Sequence, residues 1–457
     1  MEFVDRDREL NALEDWWSRR GASMGLLWGR RRVGKSALIR RFAMTRRSVV
    51  HVATGRPPDQ ELQELSRVAA PVFEHRRDLA LTPFASWDDA FDSLGAAAAA
   101  EPLLVVFDEF PELVDGTPWL PGFMRAVWER LRESTHLKLL LTGSAVRSIQ
   151  GMRQYHAPLY GRFDLTLRLD PLWPHEAAQM LPALTPADRA RVWGIVGGIP
   201  RYLRWWDQER PVAENVEALA CRPDSPLLTE GMLVLATEVE MGDVGKRVLY
   251  AIANGRTRHD EVATAIGGDP TATLERLEEL RLVERVASVT EDLRFTRRRI
   301  HRVADNFLAF WLGVLDRYRA EIEQGIGDTI VDALMRRLDD HLGSRWEQAF
   351  RMHLRRLAID GQLGEEVVAV GPFWAAAADP CEIDAVVLAG VERRAVLAGE
   401  AKWTQRVDAA RIRRQLERKA GALPNAASSL RYAVCAREAV DNAEGVLAVT
   451  AADIFDG

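Results

Sequence analysis

Short apolar runs alternate with amphipathic stretches through the first 165 residues of this 457-residue chain. The apolar runs have the length of buried strands and lie at residues 24–28, 49–53, 103–107 and 137–141. Helical patterns lie between them, at residues 36–42, 58–69 and 91–100. Parallel strands are buried on both faces and are joined by helices, so the alternation predicts a parallel sheet covered by helices over residues 1–165.

The pattern changes after residue 165, where prolines repeatedly break the chain into short helices. This predicts a small helical lid over residues 166–238. Residues 239–320 contain three helical patterns and two short strands, which is typical of a winged helix. Residues 321–457 predict a further α/β domain, with elements at residues 341–358 (helix), 366–370, 383–389, 394–401 (strands), 410–422 (helix) and 431–436 (strand).

Composition narrows the class of protein. Apolar residues make up 47% of the chain and charged residues 28%, which is ordinary for a soluble protein with several cores. The net charge of −6 indicates no general attraction to nucleic acid or anionic membrane. Three scattered cysteines, no secretion signal and no apolar run of about 20 residues predict a cytoplasmic protein with no membrane-inserted segment.

A glycine-rich motif follows the first predicted strand and precedes the first predicted helix. Its sequence is GRRRVGKS, formed by Gly29, Arg30, Arg31, Arg32, Val33, Gly34, Lys35 and Ser36. In a P-loop the glycines let backbone N–H groups wrap a polyphosphate, the lysine neutralises the outer phosphates and the hydroxyl binds Mg²⁺. A chance match is the alternative, but the flanking strand and helix favour a nucleotide site.

Polar residues follow two other predicted strands. Asp108 and Glu109 end the run at 103–107, so we predict that Asp108 binds Mg²⁺ and that Glu109 polarises the attacking water. Thr142 follows the run at 137–141 and is a candidate sensor of the γ-phosphate. Arg162 is a candidate for neutralising transition-state charge. The alternatives are solvated turns for the first three residues and a surface arginine for Arg162.

The motifs taken in order resemble the archaeal-type ATPases of the AAA+/STAND group. FVDRDREL, GRRRVGKS, FDEFPEL, LLLTGS, LYGR and GGIPRYL occur here in the order typical of that family. The resemblance implies ATP as the nucleotide and places the GGxP segment, with Gly198 and Pro200, in a lid that approaches it. It also implies a C-terminal domain similar to restriction endonucleases.

The predicted winged helix lacks the chemistry of a base reader. Its third helix, at residues 271–280, carries Glu275, Glu278 and Glu279 against a single arginine, and glutamates repel phosphates. The wing carries an arginine cluster at Arg294, Arg297, Arg298, Arg299 and Arg302. Such a cluster is either a solvated or ion-paired face or a nonspecific contact with a nucleic-acid backbone.

A carboxylate interrupts the apolar run IDAVVLA of the C-terminal domain. A buried Asp384 needs a cation or hydrogen-bond donors, and on the next strand Glu400 and Lys402 are two residues apart and share a face. The set resembles the PD-(D/E)xK nuclease core, in which Asp384 and Glu400 would bind Mg²⁺ and Lys402 would orient or activate water.

Weaker candidates in this domain are Glu347, as a further metal ligand, and Gln415 and Lys419 on the later helix. Alternating charges at a strand end are the alternative to a catalytic set. The chain also departs from the nuclease family at residues 371–374, GPFW, where an aromatic-rich segment is usual.

These patterns predict an α/β fold class: a P-loop NTPase sheet (1–165), a helical lid (166–238), a winged helix-turn-helix (239–320) and a restriction-endonuclease-like domain (321–457). We expect an ATP- and Mg²⁺-dependent switch that controls a metal-dependent nuclease, with nucleic acid as partner of the C-terminal domain and the wing. Genome defence or mobile-element biology is the setting that the resemblance implies. The alternatives are an ATP-dependent regulatory scaffold or a DNA-binding regulator with an inactive nuclease fold.

Overall fold

The computed structural model describes residues 4–73, 77–144, 151–152, 155–237, 242–296, 298–364, 366–375 and 381–456. The chain divides into two compact units, Met1–Pro171 and Leu172–Gly457, and each is described here by itself. The finer division into four domains stays a prediction. No helix in these described ranges is long and apolar enough to cross a membrane.

Unit 1 is a parallel sheet with helices around it. Its helices are α1 (Asp7–Trp17), α2 (Lys35–Ala43), α3 (Pro58–Phe73), α4 (Trp87–Ala97), α5 (Phe110–Gly116) and α6 (Leu120–Ser134). Its strands are β1 (Ser23–Trp28), β2 (Ser48–Val52), β3 (Leu103–Asp108), β4 (Leu137–Gly143) and β5 (Leu165–Arg168). The strand order is β2-β3-β4-β1-β5, and every neighbouring pair is parallel.

The central strands of this sheet are apolar because helices cover both faces. All residues of β1, β3 and β4 are buried. The core of unit 1 is drawn from buried residues between Ala22 and Leu159. The order of strands brings the carboxyl end of β1 beside that of β4, with β3 next to it, so the loops after these three strands lie at one edge of the sheet.

Unit 2 begins with short helices and a winged-helix arrangement. The short helices are α7 (Pro174–Ala178), α8 (Pro186–Val196), α9 (Pro200–Leu203), α10 (Val212–Ala220) and α11 (Pro226–Thr237). The next helices are α12 (Gly242–Ala253), α13 (His259–Ile266) and α14 (Thr271–Glu279), and they precede the antiparallel strands β6 (Val283–Ala287) and β7 (Arg299–Val303).

The aromatic segment that follows is less regular than its helical pattern predicts. It begins as α15 (Asn306–Phe310), widens into a π-helical turn (Trp311–Leu315) and continues through a 3₁₀ turn (Asp316–Tyr318) into α16 (Arg319–Glu323). A further 3₁₀ turn, Gly327–Ile330, leads to the next long helix.

The C-terminal part of unit 2 is a mixed sheet packed on one long helix. The helices are α17 (Val331–Ile359), α18 (Ala409–Ala420) and α19 (Ala451–Phe455). The strands are β8 (Val367–Ala375), β9 (Cys381–Ala389), β10 (Arg394–Lys402), β11 (Arg406–Asp408), β12 (Ala426–Ala436), β13 (Ala439–Asp441) and β14 (Leu447–Val449). The five-stranded order is β14-β12-β10-β9-β8, antiparallel from β8 to β10 and parallel from β10 to β14.

Two glycines show how closely α17 packs against its neighbours. A Cβ on Gly194 of α8 would lie 2.1 Å from the Leu342 side chain of α17. A Cβ on Gly399 of β10 would lie 2.9 Å from the Phe350 ring, eight residues further along the same helix. One helix therefore contacts both the short-helix region and the C-terminal sheet.

The predicted α/β class, with its parallel sheet and C-terminal domain, is confirmed, while several bounds and short elements differ. The long helix begins ten residues before the predicted residue 341, because its first turns carry a mixed polar pattern. The four-residue β5 was not predicted, since it is short and only partly buried. The segment at residues 371–374 is part of β8 and pairs with β9.

A buried histidine on α17 generates a pH prediction. Burial, with the charge of Arg356 acting in the same direction, lowers the pKa of His353 to about 4. An unfolded histidine has a pKa of about 6.5, so the contribution of neutral His353 to stability is complete above that pH and is lost as the pH falls toward 4. We expect this group to reduce the free energy of unfolding by about 2 kcal/mol between pH 7.5 and pH 5. Urea denaturation of wild type and His353→Gln at pH 7.5 and 5.0 measures it, and an equal loss in both proteins would contradict it.

Candidate functional site

The predicted phosphate loop lies between β1 and α2, as its sequence context requires. Gly34 has φ 104° and Arg32 has φ 70°, so the loop passes through left-handed conformations just before α2 begins at Lys35. Gly29 approaches the backbone after β5 so closely that a Cβ there would lie 2.3 Å from the carbonyl oxygen of Leu169. The glycine at this position is therefore a packing requirement.

Lys35 is held against the loop that it is expected to serve. The side chain is buried, and its Nζ donates to the carbonyl oxygens of Gly29 at 3.0 Å and Arg30 at 3.2 Å. These contacts place the ammonium group inside the P-loop, where a P-loop lysine meets the outer phosphates of a nucleotide.

Asp108 connects the loops of three neighbouring strands. The residue is 3% exposed at the end of β3. Ser36 Oγ donates to its Oδ2 at 2.8 Å, while the Thr142 hydroxyl, from the end of β4, donates to its Oδ1. Hydroxyl and carboxylate oxygens are the ligands that Mg²⁺ prefers, so Ser36 and Asp108 fit the predicted metal role. Thr142 is brought to the same edge but contacts the aspartate, and its role as a phosphate sensor stays a prediction.

Glu109 has a partner that sequence reasoning missed. Its backbone is left-handed, with φ 53°, and its carboxylate accepts hydrogen bonds from Ser144 N at 2.9 Å and Ser144 Oγ at 2.6 Å. The motif LLLTGS contained the signal, because Ser144 lies two residues beyond Thr142 at the end of β4. Ser144 therefore fixes the orientation of the predicted catalytic carboxylate.

Arg6 is a second residue that was not singled out. It is buried, and its Nη2 donates to the carbonyl oxygen of Val33 in the phosphate loop at 3.0 Å. Its φ of 79° is left-handed. The FVDRDREL box carried this residue, and its contact shows that the box supports the loop from one side.

Three further candidates are placed without a test of their roles. Arg162 forms an ion pair with Glu129 at 2.8 Å and donates to the carbonyl oxygen of Tyr160. Gly198 accepts a hydrogen bond from Leu172 N at 2.8 Å, and a Cβ there would lie 1.8 Å from the Leu172 carbonyl oxygen. Pro200 begins α9. Charge neutralisation by Arg162 and the approach of Gly198 and Pro200 to the nucleotide stay predictions.

The predicted catalytic set of the C-terminal domain lies on adjacent antiparallel strands. Ala385 of β9 pairs with Gly399 of β10, so Asp384 and Glu400 are on neighbouring strands at the same level. Ala401 N donates to Asp384 Oδ2 at 2.8 Å, and Lys402 Nζ lies 2.7 Å from Glu400 Oε1. The structure thus brings Asp384, Glu400 and Lys402 together.

The two neighbouring helices add charged groups to this set. Lys419 of α18 contacts Glu400 Oε2 at 2.9 Å, so both oxygens of Glu400 face lysines. Arg351 of α17 donates to the carbonyl oxygen of Asp384 at 2.6 Å and lies 3.6 Å from Glu347. Glu347 is therefore close enough to act on the site electrostatically, and its role as a further metal ligand stays a prediction.

Burial perturbs the acids in a direction that favours a cation. Asp384 is 9% and Glu400 5% exposed. Burial, with the charges of Glu347 and Glu400, raises the pKa of Asp384 to about 7. Burial also raises the pKa of Glu347, against the charge of Arg351. Burial lowers the pKa of Lys402, but its hydrogen bond to Glu400 and that carboxylate's charge outweigh the effect and raise it.

These acids fit a divalent cation as a two-carboxylate donor set. A cation would relieve the repulsion that raises the pKa of Asp384. In the described residues, no group of three or more His, Cys, Asp or Glu side chains is arranged to hold a metal ion. Any metal here would therefore depend mainly on Asp384 and Glu400.

The arginines of the predicted wing are largely ion-paired. Arg302 contacts Glu284 at 2.7 Å, Arg294 contacts Asp292 at 2.7 Å, and Arg298 lies 3.8 Å from Glu291. Arg297 lies outside the described residues. On the third helix, Glu278 pairs with both Arg285 and His301. These pairs favour the ion-paired-face interpretation of the cluster.

The sheet order, the glycine loop after β1 and the Ser36–Asp108 pair define a P-loop NTPase fold. Residues 3–205 match the family described as an ATPase domain predominantly from Archaea, and residues 311–414 match a family of archaeal and bacterial proteins of unknown function. Residues 3–205 are therefore similar to an archaeal-type ATPase domain, and the predicted resemblance to archaeal-type ATPases is confirmed.

Two relatives and one solved structure are similar to parts or most of the chain. An uncharacterized protein of Methanocaldococcus jannaschii is 26% identical over 424 residues, 91% of each chain. An uncharacterized ATP-binding protein of the same organism is 50% identical over 40 residues, which are 9% of this chain and 68% of that protein. A Walker-type ATPase of Pyrococcus abyssi has a similar fold, with a TM-score of 0.51 and 22% identity over 68% of this chain and 96% of that one.

The contact of Gly29 with the backbone after β5 generates a prediction. In Gly29→Ala the new Cβ meets the Leu169 carbonyl oxygen at 2.3 Å, and backbone must move to relieve it. We expect a loss of about 1–3 kcal/mol in the free energy of unfolding and a roughly tenfold weaker affinity for ATP, about 1.4 kcal/mol. Calorimetry measures both quantities. Gly122→Ala is the control, because nothing lies within 4 Å of a Cβ at that position of α6; equal behaviour of the two variants would contradict the prediction.

Proposed function

We propose that this protein is an ATP-hydrolysing molecular switch whose nucleotide state controls a metal-dependent nuclease in its C-terminal domain. The observation that carries the proposal is the convergence of Asp384, Glu400 and Lys402 in a chain that also has an archaeal-type ATPase domain. The ATPase domain supplies the switch, and the converging residues supply the activity to be switched.

The ATPase half of the proposal rests on the contacts around Asp108. Lys35 would neutralise the outer phosphates of ATP from inside the P-loop, while Ser36 and Asp108 would hold Mg²⁺. The bound Mg²⁺ would offset the charge of the β- and γ-phosphates. Glu109 would orient the attacking water. Ser144 donates two hydrogen bonds to the Glu109 carboxylate, so the carboxylate would be available to the water only when Ser144 releases it.

The nuclease half of the proposal gives each of the converging residues a different role. Asp384 and Glu400 would hold a divalent cation, which would activate water and stabilise the leaving oxygen of a phosphodiester. Lys402 is the most exposed of the three, with 42% of its side chain accessible, so it can reach a water on the substrate side. Glu347 would add negative charge behind Asp384, and Arg351 would balance it.

A specific observation favours a second function, an ATP-dependent scaffold with an inactive nuclease fold. Lys402 and Lys419 already neutralise both oxygens of Glu400, so the domain does not need a cation to compensate this residue. A sequence-specific DNA regulator is less well supported, because Arg276 of the third helix is paired with Glu279 and the same helix exposes Glu275.

The P-loop contacts predict separable effects on ATP binding and hydrolysis. Lys35→Ala should abolish ATP binding, because the charge that meets the phosphates is removed. Glu109→Gln should bind ATP but lose hydrolysis by about a hundredfold or more, since the general base is gone. Glu112→Gln, an exposed acid on α5, is the matched control and should hydrolyse ATP normally. Phosphate release and nucleotide binding are measured, and wild-type turnover in Glu109→Gln would remove Glu109 from the mechanism.

The C-terminal acids predict metal binding and cleavage in the full-length protein. Manganese binding, measured by titration without nucleotide so that ATP contributes no site, should be lost in Asp384→Ala and Glu400→Ala. Glu392→Ala, an exposed acid in the β9–β10 turn, should bind manganese as the wild type does. Cleavage of nucleic acid should follow the same pattern, while ATP turnover persists in all variants. Manganese binding by neither wild type nor Glu392→Ala would favour the scaffold.

A further inference from the structure

One helix beside the candidate nuclease site carries a row of exposed arginines. Arg411, Arg414 and Arg418 of α18 are exposed, and within the described ranges they form no ion pair. They contrast with Arg294, Arg298 and Arg302 of the predicted wing, which acidic neighbours neutralise. These three positive charges of α18 are therefore available to a ligand.

The spacing of these arginines puts them on one face of the helix. At 3.6 residues per turn, Arg411, Arg414 and Arg418 fall within one narrow sector, which Gln415 shares. The three arginines span about 10 Å along the helix axis, at 1.5 Å per residue. Ile412 and Leu416 occupy the opposite, buried side and anchor the helix to the sheet. A shallow groove of about 580 Å³ follows this face.

The same helix connects this face to the candidate catalytic residues. Lys419 lies one residue beyond Arg418 and contacts Glu400 Oε2 at 2.9 Å. The one acid along the groove, Glu417, is paired with Arg413 at 2.9 Å on the other flank of the helix. Lys419 is about 100° round the helix from Arg418, so a polyanion lying along Arg411, Arg414 and Arg418 would bind the flank of α18 next to the one that contacts Glu400.

We infer that the arginine face of α18, formed by Arg411, Arg414 and Arg418, binds the phosphate backbone of nucleic acid and guides it past Glu400. The inference rests on the proposed nuclease function for its substrate, and it moves the contact from the predicted wing to this helix. Arginine presents several donors in a planar fork that matches phosphate oxygens, and Gln415 adds an amide to the same face. Backbone contacts of this kind carry no base specificity.

The test is the salt dependence of binding by the full-length protein. A labelled 30-mer DNA duplex of random sequence is titrated with Arg411→Gln/Arg414→Gln/Arg418→Gln, in EDTA so that no cleavage occurs. Each phosphate contact contributes about 0.9 to the slope of log affinity against log salt, so the slope should become shallower by about 2.7. The single-stranded 30-mer should show a change of about 2, at 0.7 per contact.

A matched control separates local contact from general charge. Arg67→Gln/Arg130→Gln/Arg222→Gln removes the same three charges from exposed arginines that are ion-paired elsewhere on the surface, and its slope should equal that of the wild type. An unchanged slope in the α18 variant, or an equal change in both triple variants, would overturn the inference. Competition by poly-glutamate, added at the same concentration of negative charge as the duplex, would also overturn the inference, because it would identify an acidic protein as the ligand. If the triple variant does not fold, the salt slope is measured in the three single variants instead. Each single variant is expected to make the slope shallower by about 0.9.

Manganese titration and cleavage assays separate this inference from the proposed function. The triple α18 variant should bind manganese as the wild type does, because Asp384 and Glu400 are unchanged, but should cut DNA more slowly. A reduced salt slope in a protein that neither binds manganese nor cuts DNA would support the arginine face while removing the nuclease. An unchanged slope in a protein that cuts DNA normally would remove the arginine face and keep the nuclease.

Discussion

A carboxylate at the end of a buried strand must be compensated, and both candidate sites of this protein depend on how that is done. Asp108 and Asp384 are almost equally hidden from solvent. Asp108 is compensated by hydroxyl donors from Ser36 and Thr142, so one side chain ties the phosphate loop to two neighbouring strands. Asp384 has one backbone donor and two acidic neighbours, and its raised pKa shows that this compensation is incomplete.

Because their aspartates are compensated differently, the two sites make different demands on a ligand. The candidate nucleotide site is already assembled, since Ser36 donates to Asp108 and the carbonyl oxygens of Gly29 and Arg30 hold Lys35 in the loop. The C-terminal site is assembled but electrostatically strained, and it stabilises Glu400 with Lys402 and Lys419. A cation that entered there would compete with these lysines for Glu400 while it relieved the repulsion at Asp384.

Sequence reasoning succeeded where chemistry and local pattern coincide. The strand–glycine loop–helix pattern was sufficient to place Lys35 and Ser36. Residue spacing and strand order, together with the family resemblance, predicted that Asp384, Glu400 and Lys402 lie together. It failed where a contact joins distant parts of the chain and leaves no local pattern. Arg6, for example, reaches Val33 across 27 residues. Lys419 was only a weaker candidate for the site, because tertiary packing decides the rotation of its helix and hence its contact with Glu400.

The packing of α17 also bears on how such a chain could be rearranged by recombination. The helix is about 43 Å long at 1.5 Å per residue, and it packs on Gly194 near its middle and on Gly399 beyond it. A gene crossover just before α17 would separate Leu342 from Gly194 and expose the packed surfaces of both residues to water. A crossover near residue 171 would cut neither contact, and the core of the ATPase sheet is drawn from residues 22–159 alone. The packing of α17 therefore favours keeping this helix together with both surfaces that it contacts, while the family match over residues 3–205 extends past residue 171 into the short helices.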